Sequence, residues 1–301
     1  MPSILQVEGG HPLRGEITVR GAKNFVPKAM VASLLADTPS ELYNVPLIRD
    51  TDVVSDLLSL HGVEIDFDQD RGTLRMDPSN VKIASRSDID TLAGASRIPI
   101  LFCGPLLHQL GEAFIPELGG CAIGGRPIDF HLETLRKFGA IIDKQPDGVH
   151  IKRPSTGLHG AIIELPFPSV GATEQTLLTA VRNEGITTLK GAAIEPEILD
   201  LINVLQKMGA IISVDTDRTI RIEGVAKLTG YRHTALPDRI EAASWAAAAL
   251  ATRGDIYVRG AHQPDMTTFL NTFRKVGGGF DIDADGIRFY HTGEPLHSIA
   301  L

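Results

Sequence analysis

The sequence has little cysteine and no long hydrophobic run. Its two cysteines, among 301 residues, lie in unlike surroundings, which argues against a disulfide scaffold and fits a reducing, cytoplasmic location. The first ten residues, MPSILQVEGG, have neither a basic start nor an apolar stretch, so we expect no secretory signal peptide. The longest apolar runs, 98–107 and 242–251, are too short to span a bilayer and predict buried helices.

Positive charge is also scarce, since 29 Lys and Arg residues stand against 37 Asp and Glu, a net charge of -8. This balance argues against nucleic acid or an acidic membrane as a partner. The sequence contains no CxxC, HExxH, Walker-type or GxGxxG pattern. Any site for an anionic substrate must therefore be locally basic. The composition, 43% hydrophobic and 22% charged, is that of a globular chain long enough for two domains.

One pattern occurs four times: a helix end, a glycine, and two strands joined by a polar turn. The glycines, about seventy residues apart, are Gly62, Gly139, Gly209 and Gly277. Each stands where a helix C-cap needs a left-handed residue, and each following turn has hairpin composition. A very apolar helix and a short strand also recur before each glycine. We therefore predict four copies of one α/β unit, with apolar helices inside and sheets outside.

The second copy contains the unusual loop ELGGCAIGGRPIDFH, residues 117–131, which is longer and richer in glycine than its counterparts. Glycine lets a backbone approach a ligand, Arg126 stabilises a thiolate at Cys121, and the helix start that follows suits an anion. The loop predicts a reactive cysteine facing an anionic substrate; the alternative is a buried cysteine in a tight turn. Cys103, among Ile, Leu and Phe, is predicted to be an inert core thiol.

Cations recur where the apolar helices begin. Lys23, Arg97 and Arg239 stand at three of these starts, and the small polar turn 169–171 stands at the remaining one. Pseudo-symmetry would bring several starts to one rim, where Lys23, Arg97 and Arg126 could surround a phosphate-bearing ligand. The alternative for each cation is a solvated surface charge.

Six motifs in this order carry a resemblance to a known family: RGAKN (20–24), SRIPI (96–100), GGCAIGGRPIDFH (119–131), PSVGATE (168–174), EPEI (195–198) and LPDRIE (236–241). On these motifs the chain resembles the UDP-N-acetylglucosamine 1-carboxyvinyltransferase family of enolpyruvyl transferases, from about Gln6 to its end. The resemblance implies an inside-out α/β barrel fold with two domains and a cleft between them. It places a complete first domain of three copies at 23–235. An incomplete second domain, one copy plus an N-terminal strand, takes 1–22 and 236–301.

The resemblance implies transfer of enolpyruvyl from phosphoenolpyruvate to the 3-hydroxyl of UDP-N-acetylglucosamine, releasing phosphate, as the first committed step of peptidoglycan synthesis. Cys121 is implied as the general acid and as the site of a covalent phosphoenolpyruvate adduct. The implied phosphoenolpyruvate ligands are Lys23, Arg126 and Arg97. The implied sugar-nucleotide contacts are Asn24, Arg97, Arg126, Pro127, Ile128, Asp129, Ser169, Val170 and Gly171. His131 lines the cleft or caps its helix, and no metal or organic cofactor is implied.

The sequence departs from the family in length. The family has six copies, and this chain ends before the family's aspartate that faces the sugar hydroxyl. We therefore expect little turnover from this chain alone, which is either a fragment or is completed by a missing C-terminal segment from another chain. Three alternatives stay open. They are a transferase acting on shikimate 3-phosphate, which the thiol loop argues against; a non-catalytic nucleotide-sugar-binding or regulatory protein; and a structural repeat protein, which gives the Cys121 loop no purpose.

Overall fold

The chain divides into two compact units. The structure, a computed structural model, describes residues 4, 6–93, 97–116 and 128–299. The large unit is Lys23–Leu236, and the small unit combines Met1–Ala22 with Pro237–Leu301. Three copies of the repeat lie in the large unit and one lies in the small unit.

The helices of the large unit alternate between apolar and amphipathic ones. The apolar helices are α1 (Val26–Ala32), α4 (Cys103–Gln109) and α6 (Val170–Ala180). The amphipathic helices are α2 (Arg49–Leu60), α5 (Asp129–Lys137) and α7 (Pro196–Lys207), and α3 (Arg86–Ala93) lies between the first and second copies. In the described ranges no helix of either unit combines the length and the apolar character that crossing a membrane requires.

Each copy in the large unit contributes one sheet with the same strand order. The first sheet is β2 (Ser40–Tyr43), β4 (Thr73–Asp77) and β3 (Glu64–Asp68). The second is β5 (Glu112–Ile115), β7 (Gly148–Lys152) and β6 (Ile141–Gln145). The third is β9 (Ile186–Lys190), β11 (Ile220–Glu223) and β10 (Ile211–Val214). The last strand of each copy lies in the middle, antiparallel to both neighbours.

Short parallel strands extend the first and third sheets. Strand β12 (Arg232–Thr234) pairs with β2, and β8 (Ile162–Glu164) pairs with β9. Because β12 follows the third copy and β2 belongs to the first, their pairing joins the two ends of the large unit. The second sheet has no such strand within the described residues, and the chain preceding it forms α3 instead.

The apolar helices form the core of the large unit, as the sequence predicts. Every residue of α1 is buried, and so are residues 172–180 of α6. Phe25, Met30 and Leu177 are completely inaccessible to solvent. Full burial of one such side chain contributes about 1.5–3 kcal/mol, so these helices account for much of the stability of the unit.

All four glycines predicted as helix caps have a left-handed backbone. The φ angles of Gly62, Gly139, Gly209 and Gly277 are 84°, 93°, 107° and 108°. Only glycine adopts this conformation without strain from a Cβ atom. A hairpin follows each glycine, so the predicted helix ends and turns are confirmed.

The apolar helices differ from the sequence prediction because two of them are partly tighter turns. Ser33–Leu35 continues α1 as a 3-10 turn, and Ile98–Phe102 precedes α4 as another. Pro105, in the first turn of α4, has no N–H to bond the Leu101 carbonyl in an α-helical pattern. The 3-10 turn therefore falls where that α-helical bond is missing.

The small unit is one further copy of the repeat. Its sheet is β1 (Arg14–Thr18), β13 (Asp255–Arg259), β15 (Gly286–His291) and β14 (Gly278–Ile282), with β1 as the parallel edge strand. Helices α8 (Arg239–Ala251) and α9 (Gln263–Val276) belong to the same unit. Ala242, Ala246 and Ala249 of α8 join Val258 and Phe289 of the sheet in one core.

Candidate active site

The start of α6 is the centre of the candidate site. Ser169 caps this helix, because its Oγ accepts from the Ala172 backbone N–H at 3.4 Å. The Thr173 hydroxyl donates to the Ser169 carbonyl at 2.9 Å. Val170 and Gly171 form the first turn and place no polar side chain over it. Backbone N–H groups at such a start carry partial positive charge, which favours an anion.

Helix α5 begins next to α6 and is linked to it through His131. The Nδ1 of His131 lies 3.4 Å from Oε1 of Gln175 in α6. An amide oxygen only accepts, so we assign the proton to Nδ1. Burial lowers the pKa of His131 to about 4, and the charge of Arg97 acts in the same direction. The imidazole is therefore neutral at pH 7.

Gly171 lies directly against the His131 ring. A Cβ atom at Gly171 would be 2.9 Å from Nε2 and 3.0 Å from Cε1 of His131. Comfortable carbon contacts need roughly 3.5–4.0 Å, so a larger residue would push the ring away. An edge contact between Phe130 of α5 and Phe167, in the segment just before α6, holds the two helix starts together, with ring centroids 5.3 Å apart. The absence of a Cβ atom at Gly171 therefore lets the first turns of α5 and α6 lie this close together.

Gly171→Ala is expected to displace His131 toward solvent and raise its pKa. The displaced ring would lose the burial that holds its pKa near 4, so we expect a rise of about one to two units toward the ordinary value. An NMR titration of the His131 ring measures this change. Val170→Ala, in the same turn, is the matched control and should leave the titration unchanged. An unaltered His131 titration in Gly171→Ala would contradict the contact.

A buried ion pair joins α1 to α6. The Lys28 Nζ lies 3.5 Å from Oε1 of Glu174 and donates to the Asn24 carbonyl at 2.8 Å. The two side chains are only 10% and 4% exposed. Removing two charges from water is costly, and attraction plus hydrogen bonding must offset that cost. The pair therefore fixes Asn24, at the start of α1, relative to α6.

The start of α7 adds two carboxylates to this region. Glu197 is buried, and Oε2 of Glu195 is buried without a hydrogen-bond partner among the described residues. Burial raises the pKa of Glu174 to about 7; Lys28 opposes this rise, and the charges of Glu195 and Glu197 add to it. Burial thus favours the protonated form of Glu174, whereas the neighbouring Lys28 ammonium favours the ionised form.

The two described cations predicted for the site lie at helix starts. The Lys23 Nζ is 3.1 Å from Oδ2 of Asp50, and the Lys23 side chain is 60% exposed. Arg97 comes directly before the 3-10 turn that leads into α4, and its charge reaches His131. An ion pair as exposed as that of Lys23 contributes at most about 1 kcal/mol. An anionic ligand can therefore compete with Asp50 for Lys23.

The structure brings some of the predicted site residues together. It places His131 against Gly171, and it links Asn24 to α6 through Lys28. Ile128 and Asp129 belong to the start of α5, so they lie near the same helix ends. Cys121, Arg126 and Pro127 lie outside the described residues. Within the described ranges no group of three His, Cys, Asp or Glu side chains is arranged to hold a metal ion.

The sequence prediction missed Lys28, Glu174 and Gln175, which connect the helix starts. A signal was present for Lys28 and Glu174, because each is the only charged residue of its helix. Buried charged residues are usually paired, so Lys28 and Glu174 could have been proposed as partners. Cys103, by contrast, matches its prediction: it is 1% exposed, and burial raises the pKa of its thiol.

The chain is similar to known proteins over nearly its whole length. A family model described as EPSP synthase (3-phosphoshikimate 1-carboxyvinyltransferase) matches residues 7–298. The chain is 45% identical over 294 residues to the UDP-N-acetylglucosamine 1-carboxyvinyltransferase of Protochlamydia amoebophila, covering 96% of this chain and 63% of that protein. It is 42% identical to the Chlamydia pneumoniae protein of that name, and this match covers 99% of this chain and 65% of that protein. UDP-N-acetylglucosamine 1-carboxyvinyltransferase 1 of Staphylococcus aureus is 38% identical, with 96% and 68% covered. The chain thus spans about two thirds of the length of these relatives.

Solved structures with the same fold are more distant in sequence. The enolpyruvyl transferase NikO from Streptomyces tendae superimposes with a TM-score of 0.85 at 22% identity, covering 96% of this chain and 68% of that one. EPSP synthase from Acinetobacter baumannii superimposes with a TM-score of 0.73 at 18% identity, and the match covers 97% of this chain and 67% of that one. These likenesses confirm the predicted fold class.

Proposed function

Because the chain belongs to the EPSP synthase family, and within it to the UDP-N-acetylglucosamine 1-carboxyvinyltransferases, we propose that it acts in enolpyruvyl transfer. The proposed substrates are phosphoenolpyruvate and UDP-N-acetylglucosamine, and the products are phosphate and the 3-O-enolpyruvyl sugar nucleotide. This reaction would take place in the cytoplasm, as the first committed step of peptidoglycan synthesis. Both substrates are polyanions, so the site must supply donors and positive charge.

The meeting of two helix starts at His131 and Gly171 carries the proposal. Val170 and Gly171 present the backbone N–H groups of the first turn of α6, and α5 begins beside them with Ile128 and Asp129. Helix starts bind phosphate through such N–H groups and the helix dipole. In this proposal 169–171 and 128–129 contact the uridine and diphosphate, together with Pro127. Asn24, held in place by Lys28, contacts the amino sugar.

The proposed phosphoenolpyruvate ligands are Lys23, Arg97 and Arg126. Lys23 and Arg97 stand at the starts of their helical segments, where the dipole adds to their charge. The exposed Lys23 side chain can exchange Asp50 for a phosphate group, since its present ion pair is weak. Arg126 adds a planar donor suited to two oxygen atoms at once.

Cys121 is the proposed general acid. Its proton goes to the methylene carbon of phosphoenolpyruvate, and the sugar 3-hydroxyl oxygen then bonds to the adjacent carbon while losing its own proton. Departure of phosphate and loss of a methyl proton restore the double bond in the product. The thiolate of Cys121 can alternatively add to the same carbon, which gives a covalent adduct.

Phosphate release from phosphoenolpyruvate by the 301-residue chain tests the proposal. We expect slow release that requires UDP-N-acetylglucosamine, is lost in Cys121→Ala and persists in Cys103→Ala. Release without the sugar nucleotide, or release that survives Cys121→Ala, would contradict it. Sugar-nucleotide binding without any release, even by a version extended through a full second domain, would instead favour a non-catalytic nucleotide-sugar-binding protein.

A further inference from the structure

A cavity lies between α3 and β5, at the edge where the second sheet has no parallel strand within the described residues. Its volume is about 110 Å³. Most of its lining is apolar and comes from Ile83, Ala84, Ile89, Leu106, Leu110 and Phe114. No residue assigned to the proposed reaction lines it. A partly open apolar space of this kind can hold an apolar group of matching size.

A polar groove of about 430 Å³ continues from this cavity over the second sheet. Arg86, Glu112 and His150 line both spaces and mark their junction. Lys152, also in the groove, stands opposite Glu112 in the paired strands, so their charges offset each other. A molecule that fits both spaces has an apolar end inside and a charged end at Arg86.

Arg86 is weakly held and can accept a further anion. Its Nη1 donates to Oδ2 of Asp147 at 3.3 Å, and its guanidinium carbon lies 5.4 Å from the centre of the Phe114 ring. The side chains of Arg86 and Asp147 are 60% and 49% exposed, so this pair contributes little. Among the described residues no second acceptor contacts the guanidinium group. The two oxygen atoms of a carboxylate can therefore accept hydrogen bonds from two of the remaining N–H groups of Arg86 at once.

His61 keeps the inner wall of the cavity uncharged. It is 5% exposed, and its Nδ1 lies 3.2 Å from the Lys82 carbonyl oxygen. Burial lowers the pKa of His61, so the ring is neutral at pH 7 and donates to that carbonyl. A neutral wall suits an apolar group and disfavours a charged one.

We propose that the cavity binds a small amphipathic carboxylate, whose aliphatic group lies between α3 and β5 and whose carboxylate pairs with Arg86. An apolar cavity of roughly 150 Å³ takes up a benzene-sized molecule. The smaller space here matches an aliphatic group of about four or five carbons. The ligand class is thus a short-chain fatty acid or a molecule that ends in one.

Titration of the intact chain with 4-methylpentanoate, followed by NMR of the Ala113 and Phe114 amides, tests this site. The matched probe is 4-methylpentan-1-ol, which has the same carbon skeleton and no charge. We expect saturable binding of the acid below about 10 mM, and weaker binding of the alcohol. Arg86→Gln should weaken the affinity for the acid at least about tenfold and leave the affinity for the alcohol unchanged, because only the acid uses the guanidinium group.

A second variant tests the inner end. Ala84→Leu, which fills the cavity, should abolish binding of both probes, while a thermal melt checks that the variant is folded. The proposal is overturned by an acid that does not saturate at about 10 mM. It is equally overturned if Arg86→Gln binds the acid with an affinity within about twofold of the wild-type affinity. It is also overturned if Ala84→Leu is folded and binds the acid as tightly as the wild type.

Discussion

Fosfomycin, an electrophilic phosphonate, is expected to modify Cys121 and leave Cys103 unmodified in the intact chain. The nucleophile is the thiolate, and burial raises the pKa of Cys103 while leaving it only 1% exposed. Cys121 lies in a glycine-rich stretch with Arg126 five residues on, a setting that favours the thiolate. We therefore expect the two labelling rates to differ by at least about a hundredfold.

Peptide mapping by mass spectrometry measures this selectivity. Cys121→Ala should remove the adduct, and Cys103→Ala should retain it, which makes the two variants matched controls. Adding UDP-N-acetylglucosamine should change the labelling rate at Cys121 if the sugar nucleotide binds beside it. Equal labelling of both thiols, or a preference for Cys103, would count against the catalytic loop proposed here.

Glu174→Leu is expected to destabilise the large unit by about 3–5 kcal/mol, because it leaves the Lys28 ammonium buried without its carboxylate. Lys28→Met should lower the free energy of unfolding by less than Glu174→Leu does. Burial raises the pKa of Glu174 to about 7, so this carboxylate can take up a proton and become neutral. The double variant should lose less stability than Glu174→Leu alone, because it removes both charges and roughly keeps the volume. Chemical denaturation of the three variants measures these differences. A cost below about 1 kcal/mol for Glu174→Leu would contradict the buried pair.

The same carboxyl makes stability depend on pH in a defined direction. Because burial raises the pKa of Glu174 from 4.5 to about 7, the folded chain holds this proton more tightly than the unfolded chain. Its contribution to stability is therefore complete below about pH 4.5 and is lost as pH rises through about 7. Glu174→Gln removes this titration, so the stability of wild type relative to this variant should fall across that range. A constant difference would contradict the raised pKa.

The sequence predicts the repeat well because its signals are local. A glycine such as Gly62 or Gly139 ends a helix through its own backbone conformation, and the hairpin that follows depends on a few turn residues. The local pattern does not predict the parallel strands β8 and β12, since their partners lie far along the chain. Pro105 carried a local signal for the 3-10 turn before α4 that an apolar pattern alone does not show.

The periodicity of the sequence predicts the candidate site less well than it predicts the repeat. The approach of Gly171 to His131 joins helices separated by forty residues, and no local pattern encodes that distance. The pairing of Lys28 with Glu174 is of the same kind, although each stands out as a charge in an apolar helix. The six ordered motifs include His131 and 169–171, and the fold brings His131 against Gly171.

Binding of UDP-N-acetylglucosamine to the 301-residue chain is the most direct test of the account, with shikimate 3-phosphate as the comparison ligand. Isothermal titration calorimetry measures both. We predict saturable binding of the sugar nucleotide, weakened in Gly171→Ala through the displaced His131 ring, and no saturable binding of shikimate 3-phosphate. Saturable binding of shikimate 3-phosphate, or no binding of the sugar nucleotide by folded protein, would contradict the assignment of the helix starts of α1, α5 and α6 to a nucleotide-sugar site.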